Sequence, residues 1–94
     1  MTHIQFKKET LTVSKRFYNT GAIALTITDE QGFPYMTATV NLPNHPLDKN
    51  QTFIKNWSEN EGILESLITH NIVKDTGKTV ITGYVEANLV EVLI

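Results

Sequence analysis

Only one stretch of this 94-residue chain has a helix written into it, and that stretch constrains everything around it. Ser58-Glu59-Asn60-Glu61 fits a capping box, a Ser N-cap with Glu three residues on, in which each side chain would satisfy the other residue's backbone amide. Ile63, Leu64, Leu67 and Ile68 then form a narrow apolar stripe, with Glu61, Glu65 and Thr69 on the opposite face. Asn71 suits the left-handed position after a helix, and Ile72 would sit against Leu67 in a Schellman stop. A helix of roughly 12 residues is too short to be stable alone in water, so its stripe must dock on a sheet.

The sheet is legible upstream. From Thr10 to Tyr18, Leu11, Val13 and Phe17 alternate with Thr10, Thr12, Ser14 and Arg16, the period of a half-buried strand. Asn19-Thr20-Gly21 makes the turn into a strand over Ala22–Asp29, where Ile23, Leu25 and Ile27 face inward. Gly32 closes the next turn, and Tyr35–Leu42 follows with Met36, Ala38, Val40 and Leu42 inward. These strands read as an antiparallel meander. Pro43 and Pro46 end it in a surface loop, because neither can continue a central strand. A short extended piece at Thr52–Ile54 leads to the helix. After it, Asp75–Lys78 reads as a turn, Thr79–Tyr84 and Val85–Ile94 read as strand, Gly83 marks a bulge or a close approach, and an irregularity is expected near Asn88. The expected architecture is α+β, one antiparallel sheet with one helix on one face, in the order β-β-β-α-β-β and in a single domain.

Composition narrows the function. Two fifths of the residues are apolar, as in an ordinary globular chain, and there is no cysteine to form disulfides or thiolate metal sites. A net charge of −2 argues against a general nucleic-acid binder, which needs a basic excess. The first residues carry no apolar leader and no run approaches the ~20 residues of a membrane span, so the expectation is a cytoplasmic protein. His3, His45 and His70 have no metal-ligand spacing, no glycine-framed serine marks a nucleophile, and the glycines are scattered singly. Glu61 and Glu65 share a helix face, where carboxylates are ordinarily solvated rather than catalytic. The expectation is therefore a protein that is not an enzyme and takes no cofactor or metal.

Two surfaces remain. One is a threonine face: Thr10, Thr12, Thr26, Thr28, Thr37 and Thr39 point outward, with Tyr18 and Tyr35 as aromatic anchors, although threonine is also what any solvated strand face prefers. The other is the approach to the helix. Ser58, Glu61 and Trp57 have structural reasons there as cap, box and staple. No core or capping argument requires Lys55, Asn56 or Asn60, so Lys55, Asn56 and Asn60, with Trp57 as a contested fourth, are the candidate partner-binding residues. Glu59 and Glu61 oppose an anion at this helix start, which favours a protein partner.

Val40–Leu47, Phe53–Gly62, Asp75–Gly77 and Gly83–Val85 together resemble a family of small uncharacterised bacterial proteins found on conjugative elements and prophages, a domain of unknown function. The resemblance covers most of the chain from about Gly21 onward. It implies an accessory role on a mobile element and brings no assigned catalytic residue. The resulting expectation is a protein that binds a host protein, such as an inhibitor of a defence system of the CRISPR kind. The alternative is a small nucleic-acid-associated regulator of element maintenance, which would need Lys7, Lys8, Lys15, Arg16, Lys55, Lys74 and Lys78 to gather on one face. An exposed edge strand would also make a homodimer reasonable.

Overall fold

A computed structural model describes residues 2–94 as eight strands and one α-helix. The strands are β1 (Thr2–Phe6), β2 (Glu9–Phe17), β3 (Ile23–Thr28), β4 (Pro34–Thr37), β5 (Thr39–Val40), β6 (Gln51–Ile54), β7 (Val73–Thr82) and β8 (Val85–Val92). The helix, α1, spans Ile63–Thr69 and follows a 3-10 turn at Ser58–Asn60. The α+β class and the strand–helix order hold. The strands, however, divide between two antiparallel four-stranded sheets, β1-β2-β3-β4 and β5-β6-β8-β7, rather than forming one.

The division happens inside the third expected strand. Tyr35–Leu42 does not run on in one sheet: β4 pairs with β3 through Thr37, and β5 pairs with β6 from Thr39. Ala38, fully buried, stands at the corner. Its N–H donates to Leu25 O at 2.9 Å in one sheet, and its carbonyl accepts from Lys55 N at 2.8 Å beside the other. Where the backbone leaves β3, the buried Thr39 hydroxyl accepts from the Leu25 amide at 3.2 Å, so no buried donor is stranded. Tyr18 Oη is bonded to the same hydroxyl at 2.8 Å.

One core joins the sheets. Ile4, Leu11, Val13, Leu25 and Ile27 from the first meet Ile54, Val73, Val90 and Val92 from the second, with Ile63, Leu64 and Leu67 of α1. The helix packs on β1 and β7, edge strands of the two sheets. Two expected core residues are outside. Phe17 lies 65% exposed at the end of β2, and Ile68 lies 38% exposed on α1.

Several local expectations change. β1 pairs Phe6 with Glu9 around Lys7 and Lys8, both left-handed (φ 48° and 67°), a hairpin that no turn residue announces. Asp75–Lys78 is a bulge within β7, where the register passes from Asp75↔Val90 to Lys78↔Leu89. The turn is at Gly83-Tyr84 instead, and Asn88 pairs regularly with Thr79 and Ile54. The helix stop is as expected. Asn71 is left-handed (φ 60°), Ile72 N donates to Leu67 O at 2.9 Å, and Asn71 N to Ile68 O at 3.0 Å.

Candidate functional site

The approach to α1 is built differently from its capping-box pattern. Glu61 N donates to the Ser58 carbonyl at 3.1 Å, not to its hydroxyl, because Ser58 is itself left-handed (φ 58°) and opens a 3-10 turn. The helix starts after Gly62 (φ 95°), and its cap comes from further upstream. Asn56 Oδ1 accepts from Gly62 N at 3.1 Å and from Leu64 N at 3.0 Å, satisfying the amide just before the helix and one orphan amide of its first turn. Asn56 therefore has the capping role that the sequence did not assign to it.

Asn60 also has structural employment. It is 1% exposed and its Nδ2 donates to the Thr37 carbonyl at 2.8 Å, pinning the 3-10 turn to β4. Lys55 reaches Glu59 Oε1 at 3.0 Å, and Lys7 donates to the Glu59 carbonyl at 3.2 Å. Backbone hydrogen bonding and the Lys55 ammonium hold the Glu59 carboxyl below its ordinary range. Trp57 is half-buried, and its extended backbone leads into the turn. Of the four candidates, Asn60 is thus withdrawn from the surface, Asn56 is engaged with the helix, and Lys55 and Trp57 keep part of their surface open.

The threonine face is partly as expected. Thr10, Thr12, Thr26 and Thr28 are half-buried and Thr37 is exposed, but Thr39 points inward at the corner between the sheets. Interaction with the Glu9 carboxylate holds the phenol of Tyr35, on β4, above its ordinary value. The cations are divided among separate partners. Lys7 and Lys55 converge on Glu59, Lys15 donates to Ile94 O at 3.0 Å, and Lys74 and Lys78 lie on β7. Among the described residues no three His, Asp or Glu side chains gather as metal ligands, and no helix is long and apolar enough to cross a membrane.

A surface absent from the sequence reading lies elsewhere. The β2–β3 turn and the loop from Asn41 to Asn50 bound an open cleft of about 450 Å³. Phe17 stands exposed at its rim, Leu42, Pro43 and Leu47 contribute apolar surface, and Lys15 and Lys49 supply positive charge. The loop is held in place. Thr20 Oγ1 donates to Asn41 Oδ1 at 3.2 Å, Asp48 N to Gln51 Oε1 at 3.0 Å, and the His45 ring stands edge-on to Phe53 with centroids 5.9 Å apart. The apolar residues Leu42 and Leu47 around the prolines were the available signal. Their meeting with Phe17 in one cleft, 25 and 30 positions earlier, is a tertiary fact that no local period encodes.

Compared with protein-family models, curated proteins and solved structures, the chain matches none.

Proposed function

We propose that this chain is a protein-binding accessory module that catalyses no reaction, and that it engages a host protein in the cytoplasm on behalf of a mobile genetic element or phage. Inhibition of a defence system such as a CRISPR effector is the specific form of this reading. The element association rests on the motif resemblance, and one of its motifs, Val40–Leu47, supplies part of the cleft wall.

The observation that supports binding is the Phe17 cleft. Leaving a phenylalanine in water forgoes about 1.5–3 kcal/mol of burial, and a surface that keeps one beside a groove is of the kind that partners cover. An apolar or aromatic side chain entering the cleft would pack on Phe17, Leu42 and Leu47. Lys15 and Lys49 at the rim favour a partner segment with acidic flanks.

The test is affinity capture from host lysate with the purified chain, followed by titration of the captured protein with Phe17→Ala, Leu47→Ala and Trp57→Ala. Loss of roughly tenfold or more in affinity at Phe17 or Leu47 is the expected result. No specific partner, or one bound equally well by all three variants, would overturn the reading.

A further inference from the structure

The β7–β8 hairpin runs beyond the body of its sheet. β6 pairs with β8 only from Asn88 to Glu91, so Val80–Thr82 and Val85–Ala87 form a two-stranded ribbon with no third strand. Ile81 is 71% exposed there, and Tyr84 at the tip is fully exposed. The other side of β7 is a sheet margin, and α1 packs against that strand.

Hairpin parity fixes which backbone groups face outward. A two-residue turn at Gly83-Tyr84 makes Thr82 and Val85 the hydrogen-bonded pair, so Val80 also points its N–H and C=O toward β8. The amides and carbonyls of Thr79 and Ile81 therefore point away from β8. Among the described residues they have no backbone partner outside the ladder. Natural edges are ordinarily guarded by charge, proline or a bulge. The bulge at Asp75–Lys78 guards the lower half of this edge, whereas the upper half, Thr79-Val80-Ile81-Thr82, is an uninterrupted run of β-branched residues.

We infer that this edge pairs with the same edge of a second copy of the chain, in an antiparallel dimer whose two-fold axis passes through Val80. The segment complements itself in that register. Thr79 lies opposite Ile81 of the second copy, twice over, and these are the residues whose outward groups can exchange hydrogen bonds. Lys78 falls opposite Thr82, so no like charges meet, and Gly83 falls opposite Gly77. The two second sheets become one eight-stranded sheet. The contact is short, below the area of a permanent interface, so the dimer is a reversible one that dissociates on dilution. It leaves the Phe17 cleft free and stands independently of the partner proposed for that cleft.

Sedimentation velocity over a concentration series, with amide exchange at the two ends of the series, tests the inference. The wild-type chain should pass from monomer to dimer as concentration rises, with the Thr79 and Ile81 amides gaining protection only in the dimer. Thr79→Pro removes an outward N–H while leaving the β8 ladder its donors, and Ile81→Lys places a charge on the edge. Each should weaken association by roughly tenfold or more while the far-ultraviolet spectrum stays that of the wild type. A wild-type chain that stays monomeric throughout, or a dimer that survives both folded variants, would overturn it.

Discussion

Asn56 is the residue where sequence and structure part most instructively. A capping box looks for its polar side chain within three positions of the helix start, but the amide that caps α1 reaches Gly62 and Leu64 from six and eight positions upstream. The intervening 3-10 turn, with Ser58 left-handed, brings it back. Asn56→Ala should therefore cost about 1 kcal/mol, up to about 2, in chemical denaturation, while Asn56→Asp, which keeps the acceptor, should cost less. Asn60→Ala leaves the Thr37 carbonyl without its donor and should cost about 1–3 kcal/mol in the same measurement. Tyr35 carries a different test. Interaction with Glu9 holds its phenol above the ordinary value, with burial acting in the same direction. A raised folded-state value means that the interaction is intact below the ordinary tyrosine range and is lost as pH rises through the raised one. Ultraviolet titration, with Tyr35→Phe to identify the signal, should show Tyr35 ionising late in the wild type and nearer its ordinary pH in Glu9→Gln.

At the scale of elements, the parts legible in the sequence are those whose signal is local. Period-two alternation placed β2 and β3, and Asn71 with Ile72 wrote the stop of α1. β1 escaped because its turn uses Lys7 and Lys8 in a conformation that usually calls for Asn or Gly. Lys8→Gly relieves a left-handed side chain and should raise stability by about 1 kcal/mol, against the entropy that glycine itself costs. The break at Ala38 escaped for another reason. Alternation continues unchanged from Tyr35 to Leu42, and a strand that changes partner keeps its period. What betrays the corner is Thr39, an outward-parity threonine that is buried and bonded to both the Leu25 amide and Tyr18. Thr39→Val keeps the shape and strands the buried amide, a cost of about 1–3 kcal/mol. Tyr18→Phe should cost less, because the hydroxyl still accepts from Leu25. The candidate site was the least legible part. The polarity of Asn56 and Asn60 was visible but their inward employment was not, and the Phe17 cleft joins segments distant in sequence.

For the whole molecule, the two sheets are one mechanical object only if their connections hold. Ala38 joins them at one side and α1 spans β1 and β7 at the other. Thr52 Oγ1 on β6 adds a hydrogen bond to Ile23 O on β3 at 2.7 Å. The core draws on both sheets, so neither can open without exposing apolar surface of the other. Native-state amide exchange in dilute solution should therefore give Leu25 and Ile27 in the first sheet and Val90 in the second the same opening free energy. That value is the global one, on the order of 5 kcal/mol for a chain of this size. The ribbon beyond Asn88 shares little of that core, so Val80 and Thr82 should exchange through local fraying, orders of magnitude faster. If Val90 opened well before Leu25, the corner and the helix would not couple the sheets, and the chain would behave as two weakly joined layers. If Val80 exchanged as slowly as Val90, the ribbon would belong to the core unit.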